Sequence, residues 1–160
     1  MIPMQYALRR RMMNRIPQLF YYGLAPELSV KRERPVATTV GNYALFGGGH
    51  SGTDYLSTVD AYDTSLTRTT PTALSAARQQ LAATTVGNYA LFGGGSGSGS
   101  PGHLSTVDAY DTSLTRTTPT ALRVAREFFA ATTVGNYALF GGGRDSHYHF
   151  SSTVDAYQVK

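Results

Sequence analysis

ATTVGNYALFGGG occupies residues 37–49, and the same thirteen letters stand again at 83–95 and 131–143. The copies begin 46 and then 48 residues apart. A second block, LSTVDAYDTSLTRTTPTAL at 56–74, is repeated without change at 104–122, and its core STVDAY returns at 152–157. A period near 47 residues marks units that each form one supersecondary element and bury their apolar faces on their neighbours.

Each unit reads as four short strands. ATTV is β-branched, and Gly41-Asn42 supplies a two-residue turn tolerant of positive φ. Tyr43-Ala44-Leu45-Phe46 is a continuous apolar run, as expected of a strand covered on both faces. Three glycines follow, where bulky side chains would obstruct a crowded backbone. TVDAY at 58–62 alternates with period two and predicts a half-buried strand. Asp63-Thr64-Ser65 is turn chemistry, because the Asp side chain bonds its own backbone. Thr67 to Thr70 makes a fourth strand before Pro71. We label these strands a to d.

This pattern resembles the kelch family of β-propellers. The resemblance is carried by the glycine runs after strand b (Gly47-Gly48, Gly93-Gly94, Gly141-Gly142) and by Tyr62-Asp63 and Tyr110-Asp111. An arginine ahead of each strand a (Arg32, Arg78, Arg126) matches as well. The family's tryptophan after the tyrosine is replaced by Thr69 and Thr117. The resemblance covers about 28–160, is closest to short, near-identical bacterial or prophage-type repeats, and implies an all-β fold of three four-stranded blades. Propellers ordinarily hold four to eight blades, so three favour a closed ring of six made by a homodimer over a three-blade ring closed by its own tail or a larger ring. The last unit ends after strand c, whereas Leu19 to Pro26 aligns with Ser65 to Thr72. Residues 19–26 are therefore expected to supply a strand d, with 1–18 a separate leader and 19–160 the propeller half.

The copies differ in two places. After the glycines stand HSGTDYL (50–56), SGSGSPGHL (96–104) and RDSHYHFS (144–151); ahead of strand a stand SVKRERPV (29–36), SAARQQLA (75–82) and RVAREFFA (123–130). In an up-and-down blade the b–c loop and the d–a connection share one face, so the differences gather there, and loops on a rigid scaffold carry binding. The candidate ligand-binding residues are Arg144, Asp145, His147, Tyr148, His149 and Phe150, with His50, Asp54, Tyr55, Arg34, Gln79, Glu127 and Phe128. The third loop mixes aromatic and charged groups as binding hot spots do, whereas SGSGSPGHL reads as a spacer.

Other chemistries find little support. The chain has no cysteine, which removes disulfides and thiolate metal sites. His147 and His149 would point the same way on a strand, but only Asp145 is near as a third ligand, so neither a metal nor any cofactor is expected. Asp60, Asp108 and Asp155 recur in every unit, as do Arg78 and Arg126, and are assigned to structural bonds made once per blade. No Gly-Lys-Ser/Thr follows the glycine runs, and no Ser–His–acid set is evident. The expectation is a binding module for a protein or glycan, not an enzyme. The alternatives are a structural ring docked to a larger assembly and, third, a kelch-type sugar-modifying enzyme.

Charge is concentrated toward the N-terminus: seven of the 14 basic residues but two of the 10 acidic ones lie in residues 1–34, four of the basic ones within the leader. Met4, Leu8, Met12 and Ile16 fall on one side of a short basic amphipathic helix ending near Pro17, suited to an acidic partner, a membrane surface or nucleic acid, or else to capping the propeller. No apolar run is long enough for a membrane helix and no secretory signal is recognisable, so the expected location is the cytoplasm or an assembled particle.

Overall fold

The computed structural model describes residues 16–100 and 102–160. The leader helix expected around Met4 to Met12 lies outside the described residues. Every regular element among the described residues is a strand: β1 (Val36–Val40), β2 (Tyr43–Gly47), β3 (Val59–Tyr62), β4 (Arg68–Thr69), β5 (Ala82–Val86), β6 (Tyr89–Gly93), β7 (Val107–Tyr110), β8 (Arg116–Thr117), β9 (Ala130–Val134), β10 (Tyr137–Gly141) and β11 (Val154–Gln158). They form three antiparallel sheets, ordered β1-β2-β3-β4, β5-β6-β7-β8 and β9-β10-β11. Among the described residues no helix is long and apolar enough to cross a membrane.

The repeat boundaries are the sheet boundaries. Gly41-Asn42 closes the β1–β2 hairpin, with Val40 opposite Tyr43 and Gly41 at φ 52°. Asp63 Oδ1 accepts the N–H groups of Ser65 and Thr67, both at 2.9 Å, which shapes the turn after β3. Strand d is shorter than its composition predicts: only Arg68 and Thr69 pair with β3. Residues 16–28 join no sheet, and Leu19, Phe20, Tyr21, Tyr22 and Leu24 are exposed.

The sheets stack with β5 between β1 and β9. One apolar core holds Val40, Leu45 and Val59 of the first sheet against Leu81, Phe92 and Tyr110. A second packs Val86, Leu91 and Val107 against Ala138 and Phe140. The glycines at the ends of β2 and β6 set the spacing. A Cβ on Gly47 would stand 2.8 Å from the Phe92 ring, and one on Gly93 would stand 2.9 Å from Phe140. Each phenylalanine is thereby fully buried, which is worth about 1.5–3 kcal/mol per side chain.

The half-buried strand expected of TVDAY is corrected: Val59–Tyr62 and Val107–Tyr110 are buried at every position. The next sheet covers both strands, whereas β11, with the same sequence and no sheet beyond it among the described residues, alternates between exposed and half-buried. The aspartate tolerates burial because an arginine is delivered to it. Arg78 Nη2 donates to Asp108 Oδ2 at 2.7 Å and to the Phe92 carbonyl at 3.2 Å, while Nη1 donates to the Thr106 carbonyl at 2.9 Å. Asp108 also accepts from the Ser75 N–H at 3.1 Å. Arg32 with Asp60 and Arg126 with Asp155 repeat the arrangement, each at 2.8 Å. Burial pulls the Arg78 guanidinium below its usual pKa, and Asp108 opposes that shift.

Breaking a buried pair strands its partner charge. Arg78→Ala should therefore cost about 3–5 kcal/mol, measured as the loss of unfolding free energy in urea. Burial, and next Asp155, push the Tyr157 hydroxyl up to about 12, and burial with Asp108 raises Tyr110 further. A folded pKa above the unfolded one stabilises the fold fully below the unfolded value, near 10. That contribution should be lost as the pH rises from about 10 toward 12, visible as a falling urea midpoint.

Candidate functional site

The differing segments meet at one end of every sheet. In each unit the residue after the buried arginine bridges to the residue after the glycine run, which bridges onward to the end of the same loop. The three ladders are Glu33–His50–Tyr55, Gln79–Ser96–His103 and Glu127–Arg144–Phe150. Backbone bonds make them regular: Glu33 and His50 exchange two at 2.9 Å, as do Gln79 and Ser96. Identical scaffolding therefore presents a different side-chain trio in each unit. The residue after each first rung, Arg34, Gln80 or Phe128, sits in the left-handed region at φ 54°, 56° and 55°.

The third ladder carries the densest cluster. Arg144 lies 4.7 Å from the Phe128 ring centroid and 5.0 Å from that of Tyr148, a guanidinium between two aromatic faces. Glu127 holds it: Oε1 accepts from Arg144 Nε at 2.9 Å and lies 2.8 Å from Nη2. His103, from the preceding unit, brings Nε2 within 3.3 Å of the same oxygen. Glu127 is 5% exposed whereas Phe128, Tyr148 and Phe150 are 55%, 68% and 91% exposed, so a buried carboxylate anchors an exposed aromatic surface.

The loop above this anchor is a copy of a turn used elsewhere in the chain. Asp145 Oδ1 accepts the N–H groups of His147 and His149 at 2.9 and 3.0 Å, as Asp63 does for Ser65 and Thr67. Tyr148 takes φ 62°, matching Leu66 at 58°. The two backbone donors, His149 foremost, hold the Asp145 carboxyl below its usual range. His147 and His149 stack with centroids 5.9 Å apart, but across a turn instead of along the strand that the sequence suggested. Among the described residues no three His, Asp or Glu side chains are grouped as a metal site would require.

The other candidates fall into smaller groups. Arg34 reaches Gln79, its Nη1 donating to Oε1 at 3.3 Å, and contacts Glu33 at 3.6 Å. His50 packs edge-on against Tyr55 at 5.2 Å, and its Nδ1 accepts the Gly52 N–H. Asp54 bonds only within its own loop, to the Thr53 hydroxyl at 2.8 Å. Sequence reasoning missed His103 and Glu33. Alignment of the three loops from their ends would have matched His103 with Tyr55 and Phe150, but SGSGSPGHL looked like a spacer.

No family model matches the chain, and no curated protein matches it in sequence. A solved structure of YjhT superposes with a TM-score of 0.74 at 15% identity, over 88% of this chain and 46% of YjhT. The likeness supports the all-β fold, and the chain spans less than half of YjhT.

Glu127→Gln removes the charge that holds Arg144 and keeps the side chain's size. The expected loss is about 1 kcal/mol in urea unfolding, since the arginine is one-third exposed. Amide exchange over residues 144–150 should quicken while that of β5 and β6 stays unchanged.

Proposed function

We propose that the chain is a binding module: an arc of a kelch-like β-propeller, completed to six blades by a second copy, that captures a protein or glycan through the ladder face. The observation that carries this reading is the contrast between identical strands and three unlike ladders at one end of them. Drift in loops scatters residues without anchoring them. Here the divergent Arg144 is fixed by a buried partner, Glu127. Arginine between exposed aromatic rings is the composition of a binding hot spot, and it suits both an acidic peptide and the apolar face of a sugar ring. The kelch and dimer readings draw on the repeat sequence.

The second reading, a structural ring docked through its basic leader, is favoured by Arg9, Arg10, Arg11 and Arg15 within residues 1–18. The two are separated by one pair of variants, screened on immobilised glycans and on an acidic peptide library. Replacing residues 144–151 by SGSGSPGHL should abolish capture by at least tenfold while urea unfolding stays cooperative. If that exchange is silent and deletion of residues 1–17 removes capture instead, the leader is the binding element.

A further inference from the structure

The three units share their strand sequences, yet the same residue is buried in one and bare in another. Val40 and Val86 are 0% and 2% exposed, but their equivalent Val134 is 62% exposed. Val59 and Val107 are both 0% exposed, whereas Val154 is 59% exposed. At the opposite end of the arc, Phe92 and Phe140 are fully buried and Phe46 is only partly so. Each valine is covered by the sheet that follows it, and each phenylalanine by the sheet that precedes it. Among the described residues no sheet follows β9-β10-β11 and none precedes β1-β2-β3-β4.

We infer that these two ends are complementary halves of one seam: the first sheet of a second copy stacks on the third sheet, and that copy's residues 19–26 add a fourth strand along β11. The inference rests on the ring reading above and specifies its joint. Three contacts occur at both internal junctions and extend to the seam without change of register. Phe92 sits on Gly47 and Phe140 on Gly93; a Cβ on Gly141 would meet only the Val154 side chain, at 3.3 Å, and no ring, where the partner's Phe46 would sit. Thr38 and Thr85 hydroxyls lie 2.6 Å apart, and those of Thr84 and Thr133 2.8 Å, so the next pair is Thr132 with the partner's Thr39. Gly49 and Gly95 donate their N–H groups to the carbonyls of Arg78 and Arg126, both at 2.9 Å, which assigns Gly143 to the carbonyl of the partner's Arg32.

The added strand follows from the connectors. Tyr110 Oη donates to the Thr72 carbonyl, and Tyr157 Oη to the Thr120 carbonyl, each at 2.7 Å. Just upstream of those carbonyls lie β4 and β8, fourth strands of the preceding sheets. Tyr62 Oη makes the same 2.7 Å bond to Pro26, which places the residues upstream of Pro26 as the fourth strand of a sheet that the chain itself does not hold beside them. The outer edge of β11 is open, and β4 pairs Tyr62 with Arg68 and Ala61 with Thr69. The same register sets Tyr157 against the partner's Tyr22 and Ala156 against the partner's Gly23. That pairing covers the exposed run from Leu19 to Leu24 and an open sheet edge together. Two copies then meet at two identical seams about a two-fold axis.

The cysteine-free chain makes the seam directly testable. Thr39→Cys with Thr132→Cys, oxidised, should give a covalent dimer, and light scattering of the unaltered chain should give about twice its 17.2 kDa mass. A ladder of larger species means an open array, and an intrachain bridge means the arc closes on itself; either overturns the proposal. A dimeric mass without cross-linking keeps a two-copy assembly and overturns this seam, whereas a monomer overturns both. Gly141→Leu fills the seat of the partner's Phe46 and should halve the mass while leaving cooperative unfolding. Gly93→Leu, at the buried equivalent, should destabilise the chain itself. A Gly141→Leu protein that stays dimeric also overturns the seam.

Discussion

A guanidinium with no water around it fixes where the connecting segments run. Arg78 leaves the connector between β4 and β5, enters the second sheet, and satisfies Asp108 and two backbone carbonyls at once. A buried ion pair by itself gains little, since the desolvation of two charges rivals their attraction. What it does here is choose one path for the connector. With Arg78 pinned, the next residue, Gln79, has only the Ser96 strand edge to pair with, and the same holds for Glu33 and Glu127. The ladder face is thus a consequence of the buried arginines, and the ladder side chains are free to differ because the pin does not involve them.

The strands and turns were legible because they depend on neighbours in sequence. ATTV-Gly-Asn-YALF forms the β1–β2 hairpin, and the Asp63 turn forms as its side-chain chemistry requires. Burial was less legible, because it depends on what stands beside a sheet. Val86 and Val134 have the same sequence on both sides for several residues and differ from 2% to 62% in exposure. The alternation in VDAY misled for the same reason: β3 and β7 are covered by the next sheet, whereas β11 keeps the alternation although Asp155 has its arginine too. The brevity of β4 was hidden too, since Thr67 and Thr70 have strand-like side chains, but Thr67 closes the turn on Asp63 and Thr70 pairs with no residue of β3.

At the candidate site, the composition of residues 144–150 announced binding chemistry, but the roles within it were not readable. Asp145 looked like a third ligand for the two histidines and is instead committed to their backbone N–H groups. Glu127 was named among the ligand-binding candidates and is the buried anchor. Such assignments need the distance between chain segments, which periodicity alone does not carry.

The seam and the ladder face meet at one place. His103 closes the second ladder and leans on Glu127, the first rung of the third. In the proposed ring Phe150 holds the position of His103, so it would lean on the partner's Glu33. The aromatic cluster around Arg144 would then gain a carboxylate from the other copy, and the exposed Phe150 would form part of the wall between copies. A single chain would hold the anchor and the rings but not this wall. Assembly and ligand capture would then draw on the same loop, which gives a physical reason for the third loop to depart furthest from a plain spacer.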